Sequence, residues 1–260
     1  MKKISLRKIK NLLSSPLNEL IFKAQKTHNR FFKKADVQLA SLISIKTGSC
    51  PEDCKYCPQS AHYNVNLKKE SLIDISKVKE AAVKAKKNGA DRFCMGAAWK
   101  KLKDGKDLHS VIKMIKMIKS LNLEACVTLG SITKSQAKKL KGAGLDAYNH
   151  NIDTSPEFYK KIITTRKFEE RLETIKNVRD AGISVCSGGI IGMGETWDDR
   201  AKMLEVLINL SPQPESVPIN SLVPVQGTPL HNQKSINHHQ IYQLFLLWFQ
   251  DILLPLLDIQ

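Results

Sequence analysis

The chain has 260 residues, 42% of them hydrophobic and 25% charged, which is enough apolar material for a sizeable core and excludes a disordered, collagen-like or low-complexity polymer. Its formal net charge is +16, from 41 Lys and Arg against 25 Asp and Glu. Only seven of those cations are Arg, and the Lys are scattered over expected helix faces; the charge therefore reads as solubility or attraction of small acidic substrates, not as nucleic-acid recognition by clustered Arg.

Residues 1–36 are expected to form a basic helical extension leading into a strand-like run, Val37 to Ile45, that stops at Gly48. From there helix-period stretches alternate with short apolar runs. Helices over 77–87, 107–121, 134–141, 168–181 and 199–210 precede strands over 92–96, 124–129, 146–152, 183–191 and 216–223, respectively. In the 107–121 stretch Leu108, Val111, Ile112, Ile115 and Ile118 form one stripe, as in a helix packed on a sheet. Gly89, Gly142 and Gly182 fall just past expected helix ends, where a left-handed cap suits glycine. Strands separated by helices make parallel βαβ units, so the fold class is α/β. Six such strands fit a doubly wound sheet or a TIM-type (β/α) barrel short of eight units. The sulfur and polar residues lie on or just after strands, where barrels carry their chemistry, and that favours a barrel over residues 37–230.

Six Cys in this length is not disulfide density, and no apolar signal core follows Met1-Lys2-Lys3, so a reducing, cytoplasmic setting is expected. The longest apolar stretch, Ile241 to Leu257, is interrupted by Gln243, Gln250, Asp251 and Pro255 and is shorter than the ~20 residues of a membrane span. Immediately after the first strand, Cys50, Cys54 and Cys57 form a CxxxCxxC loop. Their thiolates could hold an iron–sulfur cluster or zinc, or be free thiols; a structural zinc site wants four ligands, and only His62 lies nearby. Three thiols at a barrel mouth suit a [4Fe-4S] cluster with one iron left open.

Cys94, Cys126 and Cys186 sit on three different expected strands. A lone strand Cys is usually a small core hydrophobe. With period two, however, Arg92, Cys94 and Gly96 share a face, as do Glu124, Cys126 and Thr128, and inward-facing thiols could meet in the barrel. Asn149, Asn151 and Asp153 are expected on one face, with His150 and Ile152 opposite. The run from Gly188 to Glu195 does not fit GxGxxG, and its glycines are expected to let backbone approach a ligand. His231, His238 and His239 lack partner spacing and are expected to be exposed.

The CxxxCxxC motif with an aromatic residue before its third Cys resembles the radical S-adenosylmethionine (SAM) superfamily. The longer runs Thr47 to Ser60, Tyr148 to Ser155, Ser187 to Glu195 and Val217 to Asn220 resemble the biotin synthase family, in order, over about residues 15–230. That resemblance implies that Cys50, Cys54 and Cys57 hold the [4Fe-4S] cluster, whose open iron chelates SAM. An electron then cleaves SAM to methionine and a deoxyadenosyl radical, and the protein's task is placement and exclusion. It further implies that Cys94, Cys126 and Cys186 ligate a [2Fe-2S] sulfur donor together with an Arg from a later strand. Tyr56 would lie against the SAM adenine, Asn151 would contact SAM and dethiobiotin, and Asp153 the ribose hydroxyls. Arg171 would meet the methionyl carboxylate, or else an i,i+3 neighbour such as Thr174. Asn220 would bond the ureido ring of dethiobiotin, and the glycine-rich strand would pass the methionine part of SAM. The implied activity is sulfur insertion into dethiobiotin, the last step of biotin formation, with an electron-donor protein such as flavodoxin or ferredoxin as partner and a homodimer as the assembly; no nucleic acid or membrane is expected.

The sequence departs from the family near its end. No Arg follows Arg200, and Ile241 to Phe249 is apolar on all sides, so 231–260 is expected to be an aberrant tail from a truncation or frameshift, leaving the sulfur-donor site incomplete and the outer strands unpaired. Alternatives are an inactive remnant; another radical SAM enzyme such as lipoyl synthase, which would need a second CxxxCxxC-like set, or a hydrogenase-maturase relative; and a zinc-stabilised basic nucleic-acid-binding domain.

Overall fold

The computed structural model describes residues 3–31, 37–237 and 240–244. The basic extension is two helices, α1 (Leu6–Leu13) and α2 (Leu17–Phe31), and α1 packs on the last helix of the barrel. There Ile4 N–H donates to Asn209 Oδ1 at 3.0 Å, and Lys10 pairs with Asp198 at 2.8 Å.

The strands are β1 (Ala40–Lys46), β2 (Arg92–Ala97), β3 (Glu124–Thr128), β4 (Ala147–Asn149), β5 (Ser184–Cys186), β6 (Gly189–Ile191) and β7 (Ile219–Ser221). Strands β1 to β5 lie in chain order in one parallel sheet, and β6 pairs in parallel with β7. Single bridges, Asp153 to Gly189 and Cys186 to Ser216, carry the curvature on from one sheet to the other. The helices α3 (Ile75–Lys87), α4 (Lys106–Ser120), α5 (Lys134–Gly142), α6 (Pro156–Ile162), α7 (Phe168–Asp180) and α8 (Trp197–Asn209) follow the strands as crossovers. The fold is a partial TIM-type barrel. Its core lies between sheet and helices, where Val111, Ile115 and Ile118 of the α4 stripe are fully buried. Ile112 is only partly buried, at the stripe's edge.

Three expectations need correction. The 183–191 run is two strands, β5 paired with β4 and β6 with β7, and at Gly188 between them a Cβ would lie 1.9 Å from the Pro218 carbonyl oxygen. Strand 146–152 ends at Asn149; His150 N–H and Ile152 N–H still bond across to the Cys186 and Gly188 carbonyls, and the chain turns away at left-handed Asp153, φ 68°. The left-handed glycine after α5 is Gly144, with φ 95°, whereas Gly142 is the helix's last residue. Helix α6, capped by Ser155 with Pro156 in its first turn, was not expected at all.

Among the described residues β1 and β7 each pair on one side only, and Leu42, in register with inward-facing Cys94, is 71% exposed. Of the expected aberrant tail, 238–239 and 245–260 lie outside the described residues. Leu230 and Leu244 are buried, and Arg200 donates to Gln240 at 3.0 Å. No described helix is long and apolar enough to cross a membrane.

Candidate active site

The CxxxCxxC loop leaves β1 through two left-handed residues, Gly48 (φ 73°) and Ser49 (φ 54°), and folds back on itself. Cys50 N–H donates to the Gln59 carbonyl at 2.9 Å, Ala61 N–H to the Cys50 carbonyl at 2.7 Å, and Cys57 N–H to the Cys54 carbonyl at 2.9 Å. Asp53 staples the loop to the 163–165 segment, accepting from both N–H groups and both hydroxyls of Thr164 and Thr165. Burial pushes its carboxyl pKa up, but these donors outweigh that and bring it down to about 2.

Cys50, Cys54 and Cys57 line one cavity of about 200 Å³ at the C-terminal ends of the strands, together with Tyr56, Asn151, Asp153 and Arg171. Burial raises the pKa of all three thiols, so they give up their protons most readily to a compensating cation. Among the described residues no three His, Cys, Asp or Glu side chains converge on a single metal ion. A polynuclear cluster does not need that convergence, because each thiolate takes a different iron; the thiol trio around one cavity fits such a group.

The second set lies deeper. Cys94 and Cys126 face each other in register, and their thiols are in hydrogen-bond contact. That contact, with Arg92 nearby, lowers the Cys94 pKa, while Cys94 and burial raise that of Cys126. Cys186 is in register with Asn149, whose Nδ2 approaches its sulfur at 3.2 Å and the Asn151 Oδ1 at 3.3 Å. Asn151 Oδ1 also accepts from Gly188 N–H at 3.1 Å. The same two amides line the cavity that holds Cys50, Cys54 and Cys57. Beneath Cys94 and Cys126, Arg92 pairs with Glu124 at 2.7 Å.

Asp153 and Arg171 form a buried ion pair, 2.7 Å from Oδ2 to Nη2. Arg171 therefore does not use an i,i+3 helix partner; its Nε also donates to the Tyr159 hydroxyl at 3.0 Å. Burial raises the Asp153 pKa despite Arg171, and the Tyr56 hydroxyl is in hydrogen-bond contact with the same carboxylate. Asn220 is exposed on β7 and is not part of the cavity wall. Gly188 and Gly189 are needed for strand packing: a Cβ on Gly189 would lie 2.2 Å from Met203 Sδ and 2.7 Å from the Asp153 carbonyl. His231 is exposed, as expected; His238 and His239 lie outside the described residues.

The sequence reading missed Arg166, Glu52, Trp99 and the side of the strand on which His150 ends up. All four line the cavity. His150 was expected opposite Asn149 and Asn151, but the strand has ended before it, so alternation no longer applies; it is buried, with Nε2 unpartnered. Burial, then Arg171 and Arg166, holds it well below the ordinary histidine pKa, as a neutral ring. Arg166 is buried against Glu52 at 3.4 Å. The available signal was its type, one of seven Arg in a Lys-rich chain.

Comparison with known proteins places these features. The radical SAM superfamily profile matches residues 44–207. The chain is 56% identical over 233 residues to the biotin synthase of Hahella chejuensis, covering 90% of this chain and 66% of the relative. It is 55% identical over 236 residues to that of Idiomarina loihiensis, covering 91% and 68%. The chain thus spans about two thirds of the length of these relatives. Among solved structures, methylornithine synthase superposes with a TM-score of 0.80 at 19% identity, covering 96% of this chain and 74% of that one. The FeFe-hydrogenase maturase of Carboxydothermus hydrogenoformans gives 0.80 at 18% identity, covering 98% and 61%; at these identities the likeness is one of fold.

Proposed function

This chain belongs to the biotin synthase family of the radical SAM superfamily, and on that premise we propose that it inserts sulfur into dethiobiotin to make biotin. The observation that carries this reading is the pair of thiol sets in one barrel: Cys50, Cys54 and Cys57 around the mouth cavity, and Cys94 against Cys126 deeper in, with Cys186 near enough to act on Cys126 through its charge.

Cys50, Cys54 and Cys57 would hold a [4Fe-4S] cluster, and Cys94, Cys126 and Cys186 a [2Fe-2S] cluster. When bound, the first supplies the electron that cleaves SAM into methionine and a deoxyadenosyl radical, and the second supplies sulfur. The chain's own residues bind, orient and exclude. Asn151 is fixed by Gly188 N–H and Asn149, leaving its amide nitrogen for SAM or dethiobiotin. The Arg171 guanidinium, anchored by Asp153 and Tyr159, keeps its remaining N–H donors for a carboxylate in the cavity. Asp153 would accept from ribose hydroxyls and Tyr56 would flank the adenine. Asn220, exposed on β7 outside this cavity's wall, would bond the dethiobiotin ureido ring. Leu129, Tyr148 and Ile152, fully buried, would keep water from a reactive radical on the side of the wall that they back. The working protein would be a cytoplasmic homodimer reduced by a donor protein such as flavodoxin or ferredoxin.

Anaerobic reconstitution with iron and sulfide, followed by turnover with dethiobiotin, SAM and a reductant, tests the reading. Biotin and deoxyadenosine should both appear. Deoxyadenosine without biotin, in protein carrying both clusters, refutes the sulfur-insertion assignment.

A further inference from the structure

A second cavity, of about 840 Å³, opens on the other side of the cluster loop and carries Lys46, Lys100, Lys101 and Lys103. Its wall includes Ser49 and Pro51, the two residues flanking Cys50, while Cys50 itself lines the first cavity. Ala98 and Trp99 line both cavities. One thickness of chain therefore separates the lysine groove from the cluster thiols.

The carboxylates that line the groove with these four Lys are Asp104 and Asp107, and Glu52 reaches Lys100 from the first cavity, which leaves one positive charge in excess. Two of the Lys are tied to the fold. Lys46 donates to the carbonyls of Gly48 and Ala98 at 2.6 and 3.0 Å, and Lys100 donates to the Thr165 carbonyl at 2.5 Å and lies 3.7 Å from Glu52. Lys101 and Lys103 are exposed and make no ion pair among the described residues. Exposed ammonium groups on long stems do not fix a small ligand, which needs convergent, preorganised partners. They do steer and hold a large surface of opposite charge.

We propose that this groove docks an acidic one-electron donor protein, so that the electron enters the cluster through the Ser49–Pro51 wall. The inference rests on the function proposed above and adds where, and by what chemistry, the reducing partner binds. The step is a single electron transfer: the donor is oxidised by one electron, the cluster is reduced by one, and no bond forms or breaks.

The test uses the reconstituted protein with a fully reduced (hydroquinone) flavodoxin as the probe, which gives up one electron to become the semiquinone. Lys101→Glu with Lys103→Glu is compared with Lys84→Glu and Lys87→Glu, exposed cations in the last turn of α3 at the opposite end of the barrel. Cluster bleaching is followed by stopped flow at low and high salt, and flavodoxin binding by calorimetry. The groove variant should lose about tenfold in both binding and flavodoxin-driven reduction at low salt, with the difference narrowing at high salt. Its reduction by dithionite should match wild type, and the α3 variant should match wild type throughout. The proposal is overturned if the groove variant is reduced by flavodoxin as fast as wild type, if both variants slow alike, if dithionite reduction also slows, or if flavodoxin leaves the wild-type cluster oxidised. A cluster that accepts electrons as expected in a protein that makes no biotin would remove the function and leave the docking site standing.

Discussion

Asp153 holds a left-handed backbone, φ 68°, and places its carboxylate 2.7 Å from the Arg171 guanidinium, with both side chains buried. A non-glycine residue in that region is strained, and here the surroundings hold it. Asp153 N–H donates to the Gly188 carbonyl at 3.1 Å, and its own carbonyl accepts from Ile190 N–H at 2.8 Å. The residue thus links the end of β4 to β6 while its side chain anchors α7 to the cavity floor.

Removing one member of that pair leaves a buried charge without compensation. Arg171→Met and Asp153→Asn should each cost about 3–5 kcal/mol, and the double variant less than the sum of the two. Urea unfolding of the metal-free protein gives the three values; additive costs would show that the two side chains do not stabilise each other.

Asp53 makes a pH-dependent contribution. Its pKa is about 2 in the folded chain against an ordinary 3.8, so the unfolded state binds the proton more readily. The stabilisation is complete above the unfolded value and is lost as pH falls from about 4 through about 2. Asp53→Asn should destabilise the metal-free protein by about 1–2 kcal/mol at neutral pH. The gap from wild type should close as the solution is acidified; a gap that stays constant between pH 6 and pH 2.5 would mean that the carboxylate's charge is not what holds the loop.

Two glycines separate close packing from mere helix termination. Gly188→Ala puts a Cβ 1.9 Å from the Pro218 carbonyl oxygen, and a cost of at least about 3 kcal/mol, or failure to fold, is expected. Gly142, with nothing within 4 Å of the added Cβ, should accept Ala with no loss of Tm and a gain of up to about 1 kcal/mol. Thermal unfolding of the two variants side by side checks this.

The two thiol sets should be separable by spectroscopy. Cys54→Ala should remove the signature and iron of the [4Fe-4S] cluster and spare the other, and Cys126→Ala should do the reverse. Mössbauer spectra of the reconstituted variants report each cluster by itself. Loss of both signals from either variant would mean a single shared site.

What the sequence determined by itself was whatever depends on near neighbours. Three Cys within eight residues must share a loop, and period two puts Arg92, Cys94 and Gly96 on one face whatever the strand pairs with. The order of strands and helices also follows from local periodicity, so the parallel α/β class and most element positions could be read directly. The tertiary structure alone decided what depends on register and on chain ends meeting across the barrel. It set Cys94 opposite Cys126, brought Arg166 and Glu52 together across more than a hundred residues, and turned His150 into the cavity once its strand had stopped. It also divided the 183–191 run between two sheets and set Gly188 against Pro218, a contact between strands that no local pattern encodes. Hydrophobic spacing specifies which face of an element is buried, but not which residue of the next element lies against it; that is chosen by packing, as at position 188, where the Pro218 carbonyl leaves no room for a Cβ.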